Sequence, residues 1–240
     1  MKSIAIIGNS IACGYRSDGW EHIDSTLDRK GRATEATNYV SNGWVQQFRE
    51  YKQRTDPEFV LYNLSGDGWT TREHIDRKTL KLLSKCSPAP DYAMVALSIV
   101  DRLKDDGTIS GGLSYYEYIA NTVYLISGIA NLNIKPVLVK ENYVDMWGGK
   151  GFAPTEYTAM AQVKKPGSGL HRCLSDYVGI YNTLAHIFDC EVVEFYEAMR
   201  GRKLEYGMIG NTGIYDVWHP GQKGHDLMFR EVLKWSVGKR

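Results

Sequence analysis

Five short runs rich in aliphatic and β-branched residues punctuate the chain, at residues 3–8 (SIAIIG), 58–62, 92–98, 135–140 and 191–195. Each is too short for a helix and reads as a buried strand. Between them apolar positions recur at helical spacing. Ile119, Val123, Ile126 and Ala130 form one set, Leu174, Val178, Tyr181, Ala185 and Phe188 a second, and Met228, Val232 and Trp235 a third. Strands alternating with helices predict a three-layer α/β/α domain around a central, mainly parallel five-stranded sheet. In such sheets ligands bind beyond the carboxyl ends of the strands, so a polar residue directly after a strand stands where chemistry can happen.

Two stretches break the periodicity. Residues 11–38 are polar and charged, and residues 142–170 are rich in Gly, Pro and aromatics. Both are longer than ordinary connections, which makes them candidate substrate-binding loops or lids, with surface insertions as the alternative. No repeat or linker divides the chain, and residues 1–240 are expected to form one domain carrying these two loop insertions.

Composition narrows the partners. With 240 residues and 43% hydrophobic content, one α/β domain with a sizeable core is expected. Lys+Arg 29 against Asp+Glu 28 leaves a net charge of +1, so no overall field favours nucleic acid or an anionic membrane. A small or neutral partner fits better. The 16 Tyr and 6 Trp suit a carbohydrate surface as well as they suit ordinary cores. Cys13, Cys86, Cys173 and Cys190 are scattered without metal-ligand spacing, so reduced thiols are expected and neither a disulfide scaffold nor a metal site. No segment approaches the roughly 20 apolar residues of a membrane span. The apolar run after Met1-Lys2 is too short for a signal peptide and is interrupted by Asn9. A soluble protein, cytoplasmic by default, is therefore expected, with a component of a phage particle or an exported complex as the alternative. Oligomeric state is not legible.

The chemistry-bearing residues lie at the two ends of the chain. Gly8-Asn9-Ser10 follows the first strand, and Asp216-Val217-Trp218-His219-Pro220 forms a late loop before the last helix. A serine hydroxyl needs a base within hydrogen-bond reach and a third group to orient that base. His219 and Asp216 supply both types. A Gly-x-Ser turn alone is more often a helix cap, and the joint occurrence is what points to a hydrolase.

At these residues the chain resembles the SGNH or GDSL hydrolases. Gly8-Asn9-Ser10 is similar to the family's Gly-Asp-Ser block, with asparagine for aspartate. Asn63-Leu64-Ser65-Gly66-Asp67-Gly68-Trp69-Thr70-Thr71 resembles the second block, and Asp216-Val217-Trp218-His219-Pro220 the final Asp-x-x-His-Pro block. The resemblance implies a flavodoxin-like SGNH hydrolase fold, Ser10 as nucleophile, His219 as base, Asp216 as its partner, and the Ser10 and Gly68 backbone N–H groups as oxyanion donors. It implies no metal and no organic cofactor. The chain departs from the family in the third block, where Ser98-Ile99-Val100-Asp101 stands for Gly-x-Asn-Asp. Val100 cannot donate the side-chain hydrogen bond of the family's asparagine, and Asn9 and Asn142 are candidate replacements.

The implied activity is a serine esterase acting on acyl esters, acetyl above all, on a saccharide or another small molecule. Two alternatives stand beside it: a carbohydrate-binding or structural module with a non-productive site, and an O-acyltransferase using the same residues. Trp69, Val100, Asn142, Trp147 and Trp218 are candidate substrate contacts. Asp101 is expected to hold its loop through backbone hydrogen bonds, and His225, after Gly224 at the start of the last helix, is expected at the surface. His74 lacks the two-histidine spacing of a zinc protease and Gly148-Gly149-Lys150-Gly151 lacks Walker spacing. Asn63-Leu64-Ser65 matches a glycosylation sequon, but its place inside the second block argues against modification.

Overall fold

The computed structural model describes residues 1–14, 42–101, 113–141, 174–200, 207–209, 215–237 and 239. Five strands form one parallel sheet: β1 (Ser3–Gly8), β2 (Val60–Asn63), β3 (Tyr92–Ala96), β4 (Lys135–Lys140) and β5 (Glu191–Glu194), in the order β2-β1-β3-β4-β5. All six residues of β1 are buried, which is why it reads as a continuous apolar run. This is the predicted α/β fold in flavodoxin-like strand order, and its topological switch point lies between β1 and β3.

Strand ends deviate from the sequence reading for local reasons. The second strand starts at Val60, not at residue 58, because Asp56 accepts from the Glu58 and Phe59 N–H groups and turns the chain there. The third stops at Ala96, because a helical turn begins at Ile99 and its N–H is taken by a side chain from β4's end.

Right-handed crossovers in this strand order send the β1–β2 connection to one face and the later ones to the other. On the first face α1 (Trp44–Thr55) packs against the last helix, Gln222–Val237. The sequence pattern did not single out α1, since only Trp44, Val45 and Phe48 of its 12 residues are buried. Those three suffice to dock it: Trp44 meets Phe195 edge-on at 5.3 Å and Phe48 meets Phe59 at 6.0 Å, and full burial of such a side chain stabilises by ~1.5–3 kcal/mol. Directly after the second block come two short helices, α2 (Thr71–Asp76) and α3 (Thr79–Leu83), which pack with α4 (Tyr115–Asn131) and, through it, α5 (Leu174–Phe188). Tyr118 and Tyr181, both fully buried, direct their hydroxyls at the Leu97 carbonyl at 3.1 and 2.5 Å. That anchors the chain leaving β3.

The remaining elements are α6 (Phe195–Met199), an antiparallel pair β6 (Gly207–Ile209) and β7 (Tyr215–Pro220), and α7 (Gln222–Val237). Residues 216–220, read from sequence as a loop, thus lie within a strand. No helix among the described residues is long and apolar enough to cross a membrane. Among the described residues, Cys86 and Cys190 are free thiols.

Candidate active site

Gly8 ends β1 where nothing larger fits. A Cβ there would lie 2.7 Å from the Ala12 Cβ and 3.3 Å from the Ala96 carbonyl oxygen. The following turn closes on itself, with Asn9 Oδ1 accepting from Ile11 N at 3.0 Å and the Asn9 carbonyl from Cys13 N at 3.1 Å. It presents Ser10, buried, with its Oγ 3.0 Å from Nε2 of His219. These residues are 209 positions apart, so only the tertiary fold brings them together.

His219 reaches Ser10 from a broken strand pairing. Gly207 pairs with Pro220, and the next residue, Met208, pairs with Asp216. Val217, Trp218 and His219 are therefore extra residues on β7, and a bulge of this kind bends the strand and re-aims its side chains. Asp216 lies in the same strand, three residues before His219. Asn142 and Trp147 lie outside the described residues, as do most of the two predicted insertions.

The second block and the helix after it brace the turn that carries Ser10. The Gly8 carbonyl accepts from Gly66 N at 3.2 Å and from His74 Nε2 at 2.9 Å. A carbonyl can only accept, so Nε2 carries the imidazole proton and Nδ1 accepts from the Thr79 hydroxyl at 3.0 Å. Complete burial holds this histidine neutral, with its pKa lowered to about 4. Asn63 donates to the Ala12 carbonyl at 3.0 Å and accepts from Ser65 N at 3.1 Å, a structural use of the sequon asparagine. Gly66 is required because the Trp69 indole occupies its Cβ position, 2.1 Å away. Trp69 is half-buried, edge-on to His74 at 5.1 Å, with Arg77 over its ring at 4.3 Å. Gly68 adopts φ +66°, in the left-handed region. Neither the Ser10 nor the Gly68 N–H meets a hydrogen-bond acceptor among the described residues.

Two buried carboxylates flank β3's end. Asp101 accepts from Thr71 N at 3.0 Å and from Thr71 Oγ1 at 2.6 Å, the loop-holding role expected of it. Glu141, directly after β4, accepts from Asn9 Nδ2 at 2.6 Å, Ser98 Oγ at 2.7 Å and Ile99 N at 2.8 Å. Desolvation pushes each carboxyl up to about 7, against the pull of these donors. Sequence reasoning missed Glu141, whose only signal is an acid ending the apolar run of β4. Of the two candidate replacement donors, Asn9 has one side-chain N–H committed to Glu141, and Asn142 lies outside the described residues. Val100 is buried beside this network.

His225 corrects the sequence reading. It is fully buried, not at the surface, and its Nδ1 accepts from Trp44 N at 3.4 Å, satisfying a first-turn N–H of α1. Among the described residues no cluster of three or more His, Cys, Asp or Glu is arranged to hold a metal ion.

The same fold occurs in solved hydrolases. One is LAE5, an α/β hydrolase enzyme from the metagenome of Lake Arreo, Spain, with 18% identity, 97% of this chain and 94% of that chain covered, and a TM-score of 0.64. Another is Axe2, an acetylxylan esterase from Geobacillus stearothermophilus, with 17% identity, 97% and 93% covered, and a TM-score of 0.64. A catalytic mutant of Axe2 with a histidine replaced by alanine matches equally, at 17% identity, 97% and 93% coverage and a TM-score of 0.65. At these identities the likeness establishes the fold. No protein-family model and no curated protein matches the sequence.

Proposed function

We propose that this chain is a serine esterase of the SGNH/GDSL type, cleaving acyl esters, acetyl groups on saccharides first among them, through Ser10, His219 and Asp216. The observation that carries the reading is the 3.0 Å approach of Ser10 Oγ to His219 Nε2. Further support comes from the acetylxylan esterase of the same fold. Its catalytic mutants replace in turn a serine, an aspartate and a histidine, the last two three positions apart.

In this mechanism Ser10 Oγ attacks the ester carbonyl carbon while His219 Nε2 takes its proton. The tetrahedral oxyanion is held by the Ser10 and Gly68 N–H groups. On collapse, His219 returns the proton to the departing alkoxide, leaving an acyl group on Ser10. Water then attacks with His219 again as base, releasing the acid and restoring the hydroxyl. Asp216, accepting from Nδ1–H, fixes the tautomer and stabilises the imidazolium. Val100 in place of a side-chain donor makes the hole a two-donor one, a loss of ~100- to 1,000-fold in turnover relative to three donors.

The test pairs a fluorophosphonate probe with hydrolysis of 4-nitrophenyl acetate and an acetylated xylo-oligosaccharide. Adduct on Ser10, and a drop of at least ~1,000-fold in Ser10→Ala, are expected. A folded wild-type protein that neither labels nor hydrolyses overturns the reading. Val100 favours a second reading, a saccharide-binding module with the hole incomplete, whose signature is glycan binding unaffected by Ser10→Ala. Transfer to a sugar hydroxyl instead of water uses the same residues and is separated from hydrolysis by product analysis with added acceptor.

A further inference from the structure

Glu141 plays no part in the proton transfers just described, yet it is the hub on which both sides of the switch point converge. Its Oε1 receives Asn9 from the β1 turn, and its Oε2 receives Ser98 and Ile99 from the β3 loop. Asn9, Ser98 and Glu141 are each at most 2% exposed, so water does not substitute for these contacts. We propose that Glu141 is the positioning residue of the nucleophile turn, setting Ser10 against His219 through the Asn9 side chain and tying that turn to the β3 loop. This rests on the reading of Ser10 as nucleophile.

With Glu141 ionised, above about pH 7, hydrogen-bond polarity at the hub is fixed. A backbone N–H only donates, so Ile11 N fixes Asn9 Oδ1 on its own side and turns Nδ2 toward Glu141. Ile99 N likewise demands an acceptor at Oε2. Position 141 must therefore offer acceptors on both sides, and position 9 must offer a donor. With Glu141 ionised, an aspartate at position 9, as in the Gly-Asp-Ser block, would set two buried carboxylates at the present 2.6 Å contact. Asn9 and Glu141 are thus a matched pair, and the asparagine is explained by the glutamate. The titratable groups acting with Glu141 in this interior are Asp101, Tyr118 and Tyr181, none of them a cation.

Asn9 is bonded directly to Ser10, so any shift of its amide moves the nucleophile. Misplacement by about 1 Å costs ~100-fold in a reaction that depends on near-attack geometry. Residues that bind substrate from other loops are untouched by the hub, so the loss falls on kcat and not on KM.

The experiment is a polarity-swap cycle run at about pH 9, where Glu141 is ionised: Glu141→Gln, Asn9→Asp and the double variant, each measured for kcat, KM, the rate of fluorophosphonate labelling of Ser10, and Tm. Glu141→Gln faces one NH2 group with another, and Asn9→Asp faces a carboxylate with a carboxylate. Each should lower kcat and labelling by ~100-fold with KM within about twofold. In the double variant the introduced glutamine donates to the introduced aspartate and keeps its carbonyl oxygen for Ser98 and Ile99. At least a tenfold recovery of kcat over either single variant, on the order expected for a restored contact, supports the proposal. Single variants with unaltered kcat, or a double variant as slow as the product of the singles, overturn it. Where a single variant fails to fold, the double decides alone: near-native Tm and kcat support the pairing, and a folded but slow double overturns it. A wild-type protein that does not react with the probe overturns the Ser10 reading itself. Reactive wild type with indifferent variants removes only the role of Glu141.

Discussion

His74 carries more of the local structure than its place in a six-residue helix suggests. It is fully buried, held neutral, and bonded at both ring nitrogens, to the Gly8 carbonyl and the Thr79 hydroxyl. His74→Ala removes two buried hydrogen bonds and opens a cavity, so an unfolding free-energy loss of ~3 kcal/mol is expected by urea denaturation, with slower labelling of Ser10. A loss below about 0.5 kcal/mol would show that the Gly8 carbonyl needs only Gly66. What sequence singled out was a joint occurrence, a serine after a strand and a histidine three past an aspartate, and the fold brings Ser10 Oγ within 3.0 Å of His219 Nε2. The roles of His74, His225 and Glu141 were not legible, because each looks like a surface residue until its partner is known. Those partners lie 66, 181 and up to 132 positions away, and no local pattern encodes such distances.

At the scale of elements, α2 is where the second block becomes structure. Thr70 is its N-cap, its hydroxyl accepting from Glu73 N at 3.3 Å while Glu73 accepts from Thr70 N at 2.9 Å, a capping box. This short helix holds both Thr71, bound to Asp101, and His74, bound to Gly8. Thr70→Ala should therefore cost ~1 kcal/mol or somewhat more in urea, with Thr70→Ser recovering most of it. Equal stability of the alanine variant would mean that packing alone sets α2. The strands were legible because burial on both faces leaves an unbroken apolar run. Helix α1 was not, because its three buried residues cluster at one end and the rest of its sequence is mostly Gln, Arg, Lys and Glu. The β6–β7 pair was missed for a different reason. Its register breaks across Val217 to His219, so no alternation survives in the sequence, and that same break aims His219.

For the whole molecule, the parallel sheet gathers the site at one edge and, in doing so, buries titratable groups that a surface would leave unperturbed. Asp101 and Glu141 are both pushed up to about 7 and His74 down to about 4, all by desolvation. Each carboxyl, folded, keeps its proton to near pH 7, whereas unfolded it loses it near its ordinary value of about 4. Across that window the folded state binds more protons, so these two groups make stability fall as pH rises. His74 acts in the opposite sense between about pH 4 and its ordinary 6.5, where the unfolded chain binds the extra proton and stability rises with pH. Isolating one group separates these opposed slopes. Asp101→Asn keeps an oxygen for Thr71 N and removes the charge. Wild-type stability should therefore decline relative to the variant by a few kcal/mol between about pH 4 and pH 8, read from urea unfolding of both proteins at each pH. The difference should be flat at either end of that range, since both states are protonated below it and both ionised above it. A difference that stays constant throughout would mean that the Thr71 hydrogen bonds fully offset the desolvation of Asp101, leaving its folded and unfolded affinities for the proton equal.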